Sequence, residues 1–404
     1  MKMKQLMQRN YFTMTYGVDE NAFPIAIDGH HGRSNNATDL VVDYHVADLI
    51  HFVERLECTQ GTIFTLPERG PNAGKIVSIE SNSYGFPDFY AATIKQLRWW
   101  IYYFGIGLPH HQLHPYVGYF MRTVRELGLS VPDEHPSGAL YYVGTLAQDI
   151  CCKFNQLVEA IRRVSSDIEV QDMRRKALRT ANDNWQSLIQ YEKQLFSWRS
   201  RLMVVRVDLM YLKQYTDPVS RVSYPMEIEP MMFLADMKRF REALQRHGIF
   251  EHLVGYALKL EHGIKKGFHT HGLFFFNGSR VQEDITRGRL IGEFWARDVT
   301  RGSGTYYNCN ADAEAHYYFN GLGIVHDYDT TKRFGIQLAM EYLIKPDTAA
   351  RCLLDGHRTC MMGLLPSSHV ASGRPRNRAI SQDHDEETHY NRRRLNWYGT
   401  RRSR

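Results

Sequence analysis

The run LVGYALKLEHGIKKGFHTHGLFFF (253–276) constrains this chain more than any other stretch. Its segments 253–261 and 267–276 are apolar, β-branched and aromatic, and read as strands. Between them, Gly263-Ile264-Lys265-Lys266-Gly267 reads as a five-residue hairpin loop, with glycines where a positive φ is tolerated. Strand side chains alternate between faces, so His269 and His271 share one face and Thr270 takes the other. Across such a loop Glu261 stands directly opposite His269, and Lys259 opposite His271. Glu261, His269 and His271 then form a triad that can ligate one divalent metal, with positions left for water or a phosphate oxygen. A loop shifted by one residue turns Glu261 to the other face and makes His262 the third ligand, and the sequence leaves both open.

The strand texture begins at Arg201. LMVVRVDLMYL (202–212) is a third strand-like run. MMFLADMKRFREALQRHG (231–248), EDITRGRLIGEFWARDVT (283–300) and FGIQLAMEYLIK (334–345) carry helical spacing, the first stopped at Gly248 and the last by Pro346. The order strand, helix, strand, strand, helix, helix predicts an α+β domain with antiparallel pairing over residues 196–372. Before it, residues 36–195 read as mostly helical. Helical periodicity runs through 39–56, 91–104 and 139–198, and a short strand pair lies in GTIFTLPERG (61–70) and GKIVSIES (74–81). Residues 1–35 read as a flexible arm. Residues 373–404 carry nine arginines among few apolar residues and read as a tail disordered when free, with Arg374, Arg376 and Arg378 as DNA-binding candidates.

The formal net charge is +6, which suits a polyanionic partner. None of the six cysteines forms a CxxC pair, which points to free thiols in a reducing cytoplasm. No apolar core of a signal peptide follows the N-terminus, and the greasiest stretch, Trp99 to Leu108, is too short to span a bilayer, so no membrane association is expected.

A second chemical feature lies on the last helix. Tyr342 and Lys345 are three residues apart and share a helix face. A phenol is a poor nucleophile at neutral pH, and a nearby cation together with a metal-polarised phosphate favours its attack. With 24 tyrosines in the chain, Tyr342 counts only through these neighbours. Tyr306, Tyr307, Tyr317 and Tyr318 read instead as strand and turn packing residues, or as stacking surfaces for bases.

The order of these motifs, strand MVVRVDL (203–209), then His269-Thr270-His271, then YLIK (342–345), resembles that of the HUH endonucleases. Thr270 departs from that family's hydrophobic middle position. A nearer resemblance is to inovirus gene-II-type replication proteins and their prophage relatives. It is carried by LVEAIRRV (157–164), LMVVRVDLMYL, LVGYALKLEHG, KGFHTHGLFFFNG (266–278), IGEFWARDVTRGSGTYYNCN (291–310), GLGIVH (321–326) and YLIKPD (342–347), and covers roughly 155–375. The resemblance implies a central antiparallel sheet flanked by helices, and Mg²⁺ or Mn²⁺ at His269 and His271 with Glu261 completing the site. It also implies Tyr342 as nucleophile with Lys345 assisting, and nicking of one DNA strand to start rolling-circle replication of a phage, prophage or plasmid. Asp208 and Lys259 stand as supporting residues, and Asn308 and Asn310 resemble family residues of underived role. Implied partners are single-stranded or hairpin origin DNA and a host helicase, polymerase and single-strand-binding protein. Leu338, one turn before Tyr342, leaves a single motif tyrosine. A relaxase or single-strand transposase of the same chemistry, or a non-catalytic origin-binding regulator, are the alternatives.

Overall fold

A computed structural model of the chain describes residues 115–129, 145–216, 227–263, 266–317 and 319–344, with shorter pieces within 49–78, 111–113 and 350–364. The arm expected over 1–35, the helix over 91–104 and the arginine-rich tail lie outside the described residues. The chain divides into two compact units. One takes most of residues 1–177 with Pro346–Leu353, and the other takes Leu178–Lys345 and Leu354–Arg404.

In chain order the first unit supplies β1 (Phe64–Thr65), β2 (Val77–Ser78), β3 (His111–Leu113), α1 (Pro115–Glu126) and α2 (Thr145–Ser165). The strand pair expected over 61–81 is present as antiparallel β1 and β2. Asn155 of α2 pins β1, accepting from the Ile63 and Phe64 amides at 3.2 and 3.0 Å and donating to the Phe64 carbonyl at 2.8 Å. Helix α3 spans Ile168–Trp198, and the second unit begins at Leu178. A boundary expected at 195/196 thus falls inside the second unit, because the last half of α3 packs in that unit's core.

The second unit holds β4 (Arg201–Tyr211), α4 (Pro230–Arg246), β5 (Leu253–Gly263), β6 (Gly267–Asn277), α5 (Asp284–Phe294), β7 (Gly304–Asn308), α6 (Ala313–His316), β8 (Gly323–His326) and α7 (Thr330–Ile344). After α7 come β9 (Ala350–Cys352), which pairs with β3, and β10 (Cys360–Met362), which pairs with β5. The sheet order is β10-β5-β6-β4-β7, every pairing antiparallel, and β8 lies beside the first half of β4. The fold is therefore α+β. Strands β7, β8 and β10 were not expected from periodicity, being five, four and three residues long.

β4 is central and covered on both faces, which is why its sequence is a nearly continuous apolar run. One face carries Leu202, Val204, Leu273 and Phe275 beneath α3 and α7, in a core with Leu188, Leu195, Ile336, Met340 and Leu343. The other packs Phe268 and Phe274 against Phe233 and Phe240 of α4, with ring centroids 5.0 and 6.2 Å apart. Trp295 seals that side, its indole donating to the Met210 carbonyl at 2.8 Å.

Helix α7 is held close to the loop before β8. A Cβ on Gly335 would lie 2.5 Å from both the Gly321 nitrogen and the Phe319 carbonyl oxygen, so only glycine permits this approach. The second edge of β4 is shared. β8 pairs with Arg201–Val204 and β7 with Val207–Tyr211, leaving a gap at Val205 and Arg206. Asn310 fills it with its side chain, accepting from the Arg206 amide at 2.8 Å and donating to the Val204 carbonyl at 2.9 Å and to Asp284 at 2.8 Å. Asn308 in turn accepts from the Asn310 amide at 3.2 Å. The two asparagines flagged in sequence thus serve as a side-chain patch for an interrupted ladder. Asn310→Ala strands a buried amide and a buried carbonyl of the central strand, and should cost about 2–4 kcal/mol in denaturant unfolding.

Candidate metal centre and its tyrosine

The hairpin register decides the site. β5 and β6 pair with Glu261 opposite His269, Lys259 opposite His271, and Gly263 opposite Gly267. The two glycines close the ladder, leaving a three-residue connection rather than five, yet the register is the one that groups the triad. Gly267 supplies the positive φ, at 60°. His262 goes to the opposite face against the Phe268 ring, at 4.5 Å, so it is not the third ligand candidate.

Glu261, His269 and His271 present ligand atoms that all lie within 4.8 Å of one another. Glu261 Oε2 is 3.6 Å from His269 Nε2 and 3.4 Å from His271 Nε2. Both rings are oriented through their other nitrogen. His271 Nδ1 lies 2.7 Å from Asp208 Oδ1, and His269 Nδ1 lies 3.0 Å from the Gly267 carbonyl oxygen. Since a carboxylate and a carbonyl only accept, both Nδ1 atoms carry hydrogen and both Nε2 atoms face Glu261. Asp208, given only a supporting role from sequence, is thus the residue that orients His271. It reaches His271 because the β4–β6 register sets the two directly opposite.

The electrostatics fit a cation. Glu261 Oε1 is buried with no hydrogen-bond partner, so the carboxylate has unused acceptor capacity inside the site. Burial alone would raise Glu261, but the His271 charge and the closeness of both imidazoles hold it well below the usual carboxylate range. Asp208 behaves alike, burial being outweighed by His271 and Arg206. Burial would depress His271, yet Asp208 and Glu261 lift it to about 9. A proton on Nε2 therefore occupies the position a metal would take. Two imidazoles and one carboxylate suit first-row divalent ions, and three protein ligands leave positions open.

Tyr342, on α7, closes the site from above the sheet. Its ring meets that of His271 edge-on, with centroids 5.3 Å apart at 84°. The guanidinium carbon of Arg206 lies 4.6 Å over its face. Lys259 is fully buried and donates to Thr359 at 3.3 Å, away from a ligand role. Lys345, Arg374, Arg376 and Arg378 lie outside the described residues. Sequence reasoning passed over Arg206. Its signal was present, since a charge two residues before Asp208 in an apolar run must share its face and find a partner.

Compared with family models, curated proteins and solved structures, the chain matches none of them. Among the described residues no helix is long and apolar enough to cross a membrane.

Two outcomes follow for metal binding. Asp208→Ala, which frees the His271 ring, should weaken Mn²⁺ binding about 10- to 100-fold in a spectroscopic titration, and Glu261→Ala should weaken it further. Because the proton on His271 must leave, Mn²⁺ affinity should rise about tenfold per pH unit between the ordinary histidine value and about 9, then level off. Calorimetry near pH 7.5 in buffers of different ionisation enthalpy should register about one proton released per ion. In the metal-free protein the sign is opposite. The raised His271 value stabilises the fold fully below the unfolded histidine pKa, and that contribution disappears as pH rises through about 9.

Proposed function

We propose that this chain nicks single-stranded DNA by metal-assisted attack of Tyr342 on a backbone phosphate. The observation that carries the reading is the Tyr342 ring against His271, a member of the Glu261, His269, His271 group. Glu261, His269 and His271 would hold a divalent ion, which when bound would supply Lewis-acid neutralisation of charge on a phosphate oxygen. Asp208 keeps His271 in the tautomer that offers Nε2, and the Gly267 carbonyl does the same for His269. The Tyr342 oxygen forms a bond to phosphorus, the bond from phosphorus to the 3′ oxygen breaks, and the phenolic proton ends on the departing oxygen. The products are a free 3′-hydroxyl and a 5′-phosphotyrosine ester. That ester preserves the phosphodiester's energy, so rejoining needs no nucleotide cofactor.

The net charge of +6 and the arginine-rich last segment suit a polyanion. The order of the strand, histidine and tyrosine motifs supports a rolling-circle initiator, with Lys345 assisting the phenol. A structural zinc site is the poorer fit, since such sites present four protein ligands and the group here has three among the described residues.

A labelled single-stranded DNA library incubated with Mn²⁺ should give a covalent protein–DNA band on denaturing gels, with the label on a peptide containing Tyr342. Tyr342→Phe should bind DNA and Mn²⁺ as the parent does and give no band. Binding without any band from the parent chain would instead make it an origin-binding module.

A further inference from the structure

We propose that Arg206 is a positioning residue that holds the Tyr342 ring against His271. This rests on the reading of Tyr342 as the nucleophile. Four residues form a closed circuit. His271 Nδ1 is 2.7 Å from Asp208, Arg206 Nε is 3.7 Å from Asp208, the Arg206 guanidinium lies 4.6 Å over the Tyr342 ring, and that ring lies 5.3 Å from His271. The tyrosine is therefore fixed from two directions. His271 meets it edge-on, and Arg206 covers its face.

The guanidinium lies over the Tyr342 ring rather than forming a forked pair with Asp208. At 3.7 Å its Nε is too far from Asp208 for a hydrogen bond, and Nε has no hydrogen-bond partner. Its Nη1 reaches the Tyr317 hydroxyl at 3.4 Å, on a residue of the turn before β8. An arginine used mainly to neutralise Asp208 would present its planar fork to both carboxylate oxygens. Here the flat cation lies over an aromatic face, the arrangement in which the ring quadrupole attracts it. Only 5% of Arg206 is exposed, so it does not reach a phosphate in a solvent-facing groove. Its carrier strand is central in the sheet, whereas Tyr342 stands in the last turn of α7. The contact thus ties a helix-end side chain to the central strand of the domain. Reacting atoms misplaced by about 1 Å can lose on the order of 100-fold in rate, so such a tie has kinetic weight.

Two variants separate position from charge. Arg206→Met keeps the stem and loses the cation, and Arg206→Lys keeps a charge beside Asp208 without the flat face. Each is made with 3-fluorotyrosine at position 342, and thermal melting confirms folding. In the metal-free protein the ¹⁹F resonance should stand apart from its urea-unfolded position. It should move back toward that position in Arg206→Met and broaden or shift in Arg206→Lys. Single-turnover covalent adduct formation with saturating single-stranded DNA and Mn²⁺ should slow about 100-fold in Arg206→Met, with DNA affinity unchanged and partial recovery in Arg206→Lys. A ¹⁹F resonance that stays at the parent position in both folded variants overturns the proposal, as does an unchanged adduct rate. The resonance is read without DNA or metal, so a shifted signal in a protein that forms no adduct supports the tie while sinking the nicking reaction.

Discussion

The pairing of β5 with β6 is the constraint on which the site depends. Glu261 belongs to the metal group only because the hairpin closes with Gly263 opposite Gly267. A slip of one residue in β5 would send Glu261 to the face held by Phe233 and Phe240, and bring His262 into the site. That slip is opposed by packing on the face covered by α4. Phe268 stacks on Phe233 at 5.0 Å, and Thr270 donates to the Met237 sulfur at 3.2 Å. The apolar face thus holds the register that the polar face uses. Packing energy, which is non-directional, is converted by the two-residue period of a strand into placement of three ligand atoms.

The charges around that placement balance one another. Asp208 and Glu261 are negative, Arg206 and protonated His271 positive, all in a region where isolated charges are costly. These four charges sum to zero while His271 holds its proton. Replacing that proton with a divalent ion leaves the site with a surplus positive charge. An anion is the natural complement of such a surplus, and the open coordination positions are where it would lie.

Legibility in the sequence followed length and period. The strands at 201–211, 253–263 and 267–277 were visible because each is long enough to display a buried pattern, and α4 because of its spacing. The histidine pair was visible from strand alternation, whereas the choice between Glu261 and His262 stayed open until the register was known. β7 and β8 were not visible, since a four- or five-residue strand containing Tyr, Asn, Gly and His carries no periodic signal. Asn310 could not be understood before those strands were known, because its task is to complete a ladder that two other segments leave incomplete. Arg206 was readable in part. Its alternation with Asp208 showed a shared face, but the aromatic ring it covers comes from a helix more than a hundred residues later, and no local pattern announces such a contact.

Helix α7 shows what the domain holds fixed. Arg333 meets the fully buried Glu192 through two hydrogen bonds, at 2.8 and 3.0 Å, and also donates to the Asp327 carbonyl at 3.0 Å. Removing one partner of such a pair leaves an uncompensated buried charge, so the alternative packings of α7 against α3 are disfavoured more strongly than the native one is favoured. Gly335 against Gly321 sets the depth of the same helix, and Met340, Leu343 and Ile344 lock its lower face into the core. With the helix fixed at its start, its waist and its underside, Tyr342 has little freedom beyond its own side-chain torsions. If Tyr342 is the nucleophile proposed above, the phosphate must be brought to it, and specificity would reside in how the strand is delivered rather than in movement of the tyrosine.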